Sequence, residues 1–189
     1  MAHLNFEAQK ELTYDAIIIG SGVSGGWAAK ELTEKGLRVL MLERGRQLEH
    51  VTGYEHALKS PWDAKYDGRL TVEQIESHPK LSRDYPYNEM TEKYWMNDSD
   101  SLYKEVKRFD WFRPNIVGGK SIMWGRQSYR LSDLDFEANL RDGIAVDWPI
   151  RYQDIEQWYT YVEKFAGISG EKLGLPQLPD GEFLPPMEM

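Results

Sequence analysis

Apolar residues near the start of the chain form two short runs separated by a helical pattern. The first run, Tyr14–Ile19, is nearly all apolar, as a strand buried on both faces of a parallel sheet should be. Three glycines at G-x-G-x-x-G spacing follow it. A helix is then predicted over Ser24–Lys35, ended by Gly36, and a second buried strand over Arg38–Glu43. The residues expected to form the buried side of the helix are Trp27, Ala28 and Leu32.

The middle of the chain has no clear periodicity. Between residues 46 and 107, charged residues, Pro, Tyr and Trp crowd together, and a single short helix is predicted over Val72–Ser77. An irregular segment of this length is unusual unless it covers a functional site. A second glycine-rich element follows at residues 113–125, with a short strand candidate over Asn115–Val117.

The clearest amphipathic helix covers residues 154–166. Asp154 is expected to cap it and Gly167 to end it, because short polar residues satisfy helix N-termini and glycine tolerates the left-handed conformation that follows a helix. Ser132 and Gly143 are expected to bound a shorter helix in the same way. The apolar stripe of the long helix consists of Ile155, Trp158, Tyr159, Val162, Phe165 and Ala166.

Composition narrows the possible functions. The 189 residues are 41% hydrophobic and 13% aromatic, which is typical of a globular protein. A net charge of −8 disfavours binding to nucleic acid. The chain has no cysteine, so disulfides, thiol catalysis and Cys-ligated metals are excluded, and no metal site is predicted. No apolar run approaches the ~20 residues of a membrane span, and the first 13 residues lack the pattern of a signal peptide.

The glycine loop has the features of a site for a dinucleotide diphosphate. Gly20 permits a tight turn, Gly22 lets the main chain approach phosphate, and Gly25 lets the helix pack close to the strand. The helix N-terminus adds a partial positive charge. Glu43, at the end of the second strand, can accept hydrogen bonds from ribose hydroxyls and would repel a 2′-phosphate, which favours FAD or NAD over NADP. The plainer alternative is an ordinary strand-to-helix turn with an exposed acid at position 43.

Three segments together resemble one protein family. They read Y-D-A-I-I-I-G-S-G-V-S-G-G-W-A-A-K-E-L continuing to V-L-M-L-E-R-G, V-G-G-K-S-I-M-W-G at 117–125, and D-W-P-I-R-Y-Q-D-I-E-Q-W-Y at 147–159. In order and spacing they resemble the glucose–methanol–choline (GMC) oxidoreductases, and most closely the branch that oxidises gluconate, glucosides and pyranoses. The E-R-G ending is typical of FAD-binding units and favours flavin over nicotinamide. The resemblance implies oxidation of a CH–OH group of a sugar, glycoside or other alcohol by hydride transfer to flavin N5.

The resemblance also implies cofactor-binding residues. In the family, the second glycine element runs along the pyrophosphate and the isoalloxazine. Some members of this branch carry the flavin covalently on a His that matches Met123, and because Met cannot form that bond we expect non-covalent FAD. The candidate cofactor-binding residues are Gly20, Ser21, Gly22, Val23, Ser24, Gly25, Glu43, Arg44, Gly118, Gly119, Ser121, Met123 and Trp124.

No catalytic residue is predicted. The family's proton acceptor is a His near the C-terminus of a much longer chain, whereas the four histidines here, His3, His50, His56 and His78, all precede the second glycine element. Two convincing strands are few for a parallel sheet covered on both faces. We therefore expect an N-terminal portion of a longer enzyme that is inactive by itself. The alternatives are a nicotinamide-dependent oxidoreductase and a non-catalytic remnant.

The predicted fold class is α/β, a Rossmann-like FAD-binding βαβ unit with an incomplete parallel sheet, plus helical and loop excursions. We expect four segments: the βαβ unit at 1–45, an irregular excursion or lid at 46–112, the second flavin-contacting segment with helices at 113–170, and an extended segment at 171–189. The resemblance implies a sugar or alcohol substrate and an electron-acceptor subunit, either a cytochrome or a quinone. It also implies a cytoplasmic location, or a periplasmic one reached by co-export with a partner subunit.

Overall fold

The computed structural model describes residues 13–100 and 103–187. His3 and the N-terminal stretch in which we expected no signal peptide lie outside the described residues. The chain divides into two compact units, one extending to Trp124 and one beginning at Gly125. The helices and strands are β1 (Ala16–Ile19), α1 (Val23–Glu34), β2 (Val39–Leu42), α2 (Val72–Ser77), α3 (Asp133–Phe136), α4 (Ala138–Asp142) and α5 (Tyr152–Ala166).

The first unit begins with a βαβ arrangement. β1 pairs in parallel with β2, in a register that places Ala16 opposite Val39 and Ile19 opposite Leu42. Gly36 adopts a φ of +83° just after α1, as expected of a glycine that ends a helix. The unit is therefore mixed helix and strand with a short parallel sheet, which is consistent with a Rossmann-like FAD-binding domain.

Burial in this arrangement differs from the prediction. β1 was expected to be buried on both faces, but Ile17 is 61% and Ile19 is 86% exposed. Within the described residues the sheet has two strands, so apolar side chains on one of its faces have no neighbour to pack against. The buried side expected for α1 is also wrong in part, because Trp27 and Leu32 are only half-buried and Ala28 is exposed.

The irregular segment after β2 folds around short 3₁₀ helices and an aromatic cluster. The cluster, formed by Leu81, Tyr87 and Trp95, is buried. The predicted helix at Val72–Ser77 is present as α2, and the Thr71 side chain accepts a hydrogen bond from the Gln74 N–H at its start. The 3₁₀ helices of the unit are Pro61–Asp63, Lys65–Gly68, Leu81–Arg83, Glu92–Tyr94, Asp98–Asp100 and Gly119–Met123.

The second unit contains α3, α4 and α5, with caps largely as predicted. The Ser132 hydroxyl accepts from the Leu134 N–H at the start of α3, and Gly143 and Gly167 end α4 and α5 with positive φ. The expected cap at Asp154 is wrong by three residues. Arg151 occupies the capping position of α5, and the Asp154 carboxylate accepts from the Arg151 N–H at 2.7 Å.

A buried ion pair holds α5 in addition to the part of its apolar stripe that packs. Half of the stripe, Ile155, Tyr159 and Val162, is half-buried, whereas Trp158 and Phe165 are 58% and 60% exposed. Glu163, which the stripe does not include, is 7% exposed. The Arg130 guanidinium donates to both Glu163 carboxylate oxygens at 2.7 Å. A fork-to-fork pair of this kind is strong and geometrically specific. It ties the segment before α3 to α5.

Candidate functional site

The glycine loop between β1 and α1 requires two of its glycines for reasons internal to the chain. Gly20 has a φ of +94°, which favours glycine, and its N–H donates to the Leu42 carbonyl at 2.7 Å. A Cβ placed on Gly25 would lie 1.9 Å from the Gly20 carbonyl oxygen. The turn and the close packing of α1 on the loop therefore both depend on glycine.

Gly22 requires a different explanation. Its φ is −64°, which any residue can adopt, and an added Cβ would meet no heavy atom within 4 Å. Gly22 occupies the capping position of α1, where it offers no side chain, and the first turn of α1 carries no acidic residue. Val23 and Ser24 follow with exposed side chains. The first turn of α1 thus has no acidic side chain of its own, and the space beside Gly22 is open, which suits the approach of an anion to the N–H groups at the start of the helix.

Glu43 lies just beyond β2 and contacts the glycine loop directly. Its Oε2 accepts from the Ser21 N–H at 2.7 Å and from the Ser21 hydroxyl at 2.6 Å, and its Oε1 accepts from the Gly45 N–H at 2.6 Å. Burial alone would raise the pKa of Glu43, but these hydrogen bonds outweigh it and the pKa lies below the ordinary value. The carboxylate is therefore ionised at neutral pH, as an acceptor of ribose hydroxyls must be.

The next residue along the chain, Arg44, points away from the loop. Its guanidinium donates to the Met96 sulfur at 3.5 Å. Arg44 also lies close enough to Arg113 to add to the effect of burial in lowering the pKa of the Arg113 guanidinium. Arg44 is thus next to Glu43 in sequence, but its side chain faces Met96 in the irregular segment after β2.

A short ladder brings the second glycine element to the first. Arg46 pairs in parallel with Ile116, with the Arg46 N–H donating to the Asn115 carbonyl at 3.1 Å and the Val117 N–H donating to the Arg46 carbonyl at 3.0 Å. The strand candidate at Asn115–Val117 is thus present as an isolated bridge. A Cβ on Gly45 would lie 2.5 Å from the Ile116 nitrogen, so this approach also requires glycine.

The two glycine segments meet at Gly118 and Gly119. Both have positive φ, of +93° and +55°. The Gly118 N–H donates to the Ser21 hydroxyl at 2.8 Å, and a Cβ on Gly119 would lie 3.4 Å from Gly22 Cα. The structure therefore brings the glycine loop, Glu43 and Gly118–Gly119 together. That this arrangement holds a dinucleotide stays a prediction.

The remaining residues of the second element are distributed differently. The Ser121 hydroxyl donates to the Gly118 carbonyl and so stays within its own turn. Met123 packs against the aromatic cluster of the excursion, and Trp124 is about half exposed. Ser121 is thus tied to the part of the element that contacts the glycine loop.

The described histidines lie in the excursion. His50 packs edge-on against Tyr54 with ring centroids 5.7 Å apart, and His78 packs edge-on against Tyr87 at 6.1 Å. His56 has a buried Nδ1. These contacts explain His50 and His78 as packing groups.

Gly45 is the site residue that sequence reasoning did not select. It donates to Glu43 and makes the contact with Ile116 possible, so it orients the carboxylate and joins the two glycine segments. The sequence did show Gly45, as the glycine of the E-R-G ending. Its role in bringing the two glycine segments together becomes clear only from its contact with Ile116, about 70 residues further along the chain.

Comparison with known proteins identifies the family. Residues 15–133, well over half of the chain, match the family model described as FAD dependent oxidoreductase. The chain therefore belongs to this family, which confirms the prediction of FAD as the cofactor. The matched region contains the glycine loop, Glu43 and the second glycine element.

The chain is similar to several curated enzymes. It is 29% identical over 160 residues to 6′′′-hydroxyparomomycin C oxidase of Streptomyces lividus, covering 83% of this chain and 23% of that protein. It is 28% identical over 170 residues to 2-methyl-1,2-propanediol dehydrogenase of Mycolicibacterium austroafricanum, covering 88% and 26%. It is 25% identical over 183 residues to the fructose dehydrogenase large subunit of Gluconobacter japonicus, covering 95% and 30%. The chain thus spans between about a quarter and a third of the length of these relatives. No helix in residues 13–100 or 103–187 is long and apolar enough to cross a membrane.

Proposed function

We propose that this chain is the FAD-binding portion of a GMC-type oxidoreductase of Rossmann-like fold that oxidises a CH–OH group of a sugar, glycoside or other alcohol. A bound flavin supplies the hydride acceptor at N5. The chain's own residues hold the adenosine diphosphate half and line the path toward the flavin ring. The family match supports the cofactor, and the order of the three motifs supports the GMC assignment.

The observation that carries the proposal is the open space at Gly22. Gly20 and Gly25 are explained by backbone conformation and by packing, but no contact with the described residues requires glycine at position 22. A diphosphate would explain it, because phosphate oxygens must come close to the main-chain N–H groups at the start of α1. The glycine is thus accounted for by the ligand rather than by the fold.

Each of the other candidate residues would contact a different part of the cofactor. Glu43 would accept the ribose hydroxyls, and Val23 and Ser24 would present the first N–H groups of α1 to phosphate. Gly118 and Gly119 would let the second element lie against the cofactor without side chains in the way. With Met123 at the position of the covalent His, the FAD would be held without a bond to the protein.

The names of the relatives support the substrate class and a partner. One relative is an oxidase of a hydroxylated paromomycin, one is a dehydrogenase of a propanediol, and one is the large subunit of a fructose dehydrogenase. All three names fit oxidation of an alcohol or a sugar. The subunit name supports an electron-acceptor partner, such as a cytochrome or a quinone-linked protein, for the enzyme to which this chain belongs.

Titration of the flavin-free chain with FAD tests the proposal. Gly22→Ala should weaken binding by roughly fivefold or more, since an added methyl in a closely packed contact costs about 1–3 kcal/mol. It should lower the flavin-free stability by only about 0.5–1 kcal/mol, because Ala is a poorer N-cap than Gly while the added Cβ itself meets open space. Glu43→Gln should weaken binding by roughly tenfold or more through loss of charge-assisted hydrogen bonds.

The matched control is Glu49→Gln, six residues beyond Glu43 on the same segment, where the side chain is exposed. It should bind FAD as the wild type does. Flavin fluorescence quenching measures each dissociation constant, and urea unfolding measures each stability. Equal FAD affinity for wild type and Gly22→Ala would contradict the proposed diphosphate site.

A further inference from the structure

The Ser21 side chain forms a hydrogen-bonded bridge between two segments far apart in sequence. Its hydroxyl donates to Glu43 Oε2 at 2.6 Å and accepts from the Gly118 N–H at 2.8 Å. Both contacts are within the normal range for their donor types. One side chain therefore connects the carboxylate at the end of β2 with the main chain of the second glycine element.

The carboxylate in this bridge is close to saturated. The carboxylate accepts from the Ser21 N–H, the Ser21 hydroxyl and the Gly45 N–H, and the Arg44 backbone N–H also acts on it and helps to lower its pKa. An ionised carboxylate offers about four lone-pair positions, so a ribose diol, which donates two hydrogen bonds, requires at least one present donor to leave. The N–H groups are fixed by the main chain. The Ser21 O–H can rotate away without moving any backbone atom.

Rotation of that O–H changes the bond at the other end of the bridge. A hydroxyl that donates to an ionised carboxylate is polarised and becomes a better acceptor, because hydrogen bonds in a chain strengthen one another. The bond from the Gly118 N–H is therefore stronger while Ser21 donates to Glu43. Gly118 has a φ of +93°, so its position depends on local hydrogen bonds rather than on a regular helix or strand.

We propose that Ser21 is a positioning residue that couples the state of Glu43 to the placement of Gly118. Occupation of Glu43 by the adenosine ribose would be transmitted through the Ser21 hydroxyl to the segment that lines the flavin. This consequence rests on the proposed function, whereas the bridge itself is a property of the flavin-free chain. Arg44, the charged neighbour of Glu43, directs its guanidinium to Met96 and takes no part in the bridge.

The test uses the full flavin-free chain, labelled with ¹⁵N, and follows the Gly118 amide by NMR. Ser21→Ala should accelerate hydrogen exchange at Gly118 by about fivefold, the effect of losing one ordinary hydrogen bond. Ser21→Thr keeps the hydroxyl and should restore slow exchange. Ser77→Ala, which removes an exposed serine hydroxyl in α2 outside the candidate site, should leave Gly118 exchange as in wild type.

A double-mutant cycle separates coupling from simple loosening. Glu43→Gln should move the Gly118 amide signal in the wild-type and Ser21→Thr backgrounds, but not in the Ser21→Ala background. If Ser21→Ala does not fold, Glu43→Gln in the wild-type and Ser21→Thr backgrounds still tests the proposal. A Gly118 signal that Glu43→Gln leaves unmoved in those backgrounds overturns it. An equal shift with and without the Ser21 hydroxyl would also overturn it.

The NMR test and the FAD titration can fail separately. If FAD does not bind but the Gly118 signal still responds to Glu43→Gln through Ser21, the proposed function is wrong and the coupling through Ser21 is supported. If FAD binds normally but the Gly118 signal does not respond, the coupling is wrong and the proposed function is supported.

Discussion

Adjacent glycines in α1 provide a sharp test of how closely the helix packs on the glycine loop. In Gly25→Ala the new Cβ would lie 1.9 Å from the Gly20 carbonyl oxygen. A relaxed carbon–oxygen contact is about 3.3 Å, so the loop and helix would have to separate by about 1.4 Å. Overpacking of this size against backbone costs about 3 kcal/mol. Because the clash is with main chain, no side-chain rotation can relieve it.

Gly26→Ala is the matched control, one residue along the same helix. Its added Cβ meets nothing within 4 Å, and Gly26 lies inside α1. Replacing a helical glycine by alanine should therefore stabilise the protein by about 0.5–1 kcal/mol. The two variants should differ in the free energy of unfolding by about 4 kcal/mol, or about 2 M in urea midpoint for a slope near 2 kcal/mol per M.

Urea unfolding followed by Trp fluorescence measures both midpoints, and FAD titration measures whether the site survives. Gly25→Ala should also lose FAD affinity, because displacement of α1 moves the N–H groups at its start. Gly26→Ala should keep FAD affinity. Coincident unfolding curves for the two variants would refute the packing argument, and with it the role given to Gly25.

Two further predictions concern the buried ion pair and the form of the bound cofactor. Glu163→Gln should destabilise the second unit by about 3 kcal/mol, because it leaves the Arg130 guanidinium buried without a charge partner. Burial raises the pKa of Glu163, but the hydrogen bonds from Arg130 and Glu182 lower it overall. The pair's contribution is therefore present above the ordinary pKa of a Glu carboxyl and lost as the pH falls through the lowered value. Urea unfolding between pH 3 and pH 7 should show this acid loss in wild type but not in Glu163→Gln, and identical profiles would contradict it. Separately, acid precipitation of the FAD-loaded chain should release all the flavin, because Met123 replaces the linking His, and a yellow pellet would show a covalent bond.

The local signals in the sequence predicted the βαβ element well. Apolar runs bounded by glycine gave both strands within two residues of their observed ends, and α2 was predicted at its observed bounds. These features depend on short-range periodicity and on backbone preferences that single residues carry. The meeting of the glycine loop, Glu43 and Gly118–Gly119 was predicted by motif order and resemblance.

Features that depend on distant partners were not predicted. Glu163 lies at a helical position that a sequence reader assigns to solvent, and only Arg130, 33 residues earlier, makes its burial favourable. The burial of β1 was overestimated because an apolar run indicates what a strand can cover, not how many neighbours it has. Gly45 can be read from the sequence, but its contact with Ile116 depends on the fold and could not be predicted from Gly45 alone.

The bridge between Arg46 and Ile116 has a consequence for how this protein can vary. The chain leaves the site at residue 46 and returns to it at residue 116, so the intervening segment is a loop whose two ends are pinned to each other by main-chain hydrogen bonds. Lengthening a loop whose ends are already joined changes its closure entropy only slowly. Insertions in the exposed stretches of that segment, away from the buried cluster of Leu81, Tyr87 and Trp95, should therefore change its surface while the glycine segments keep their register.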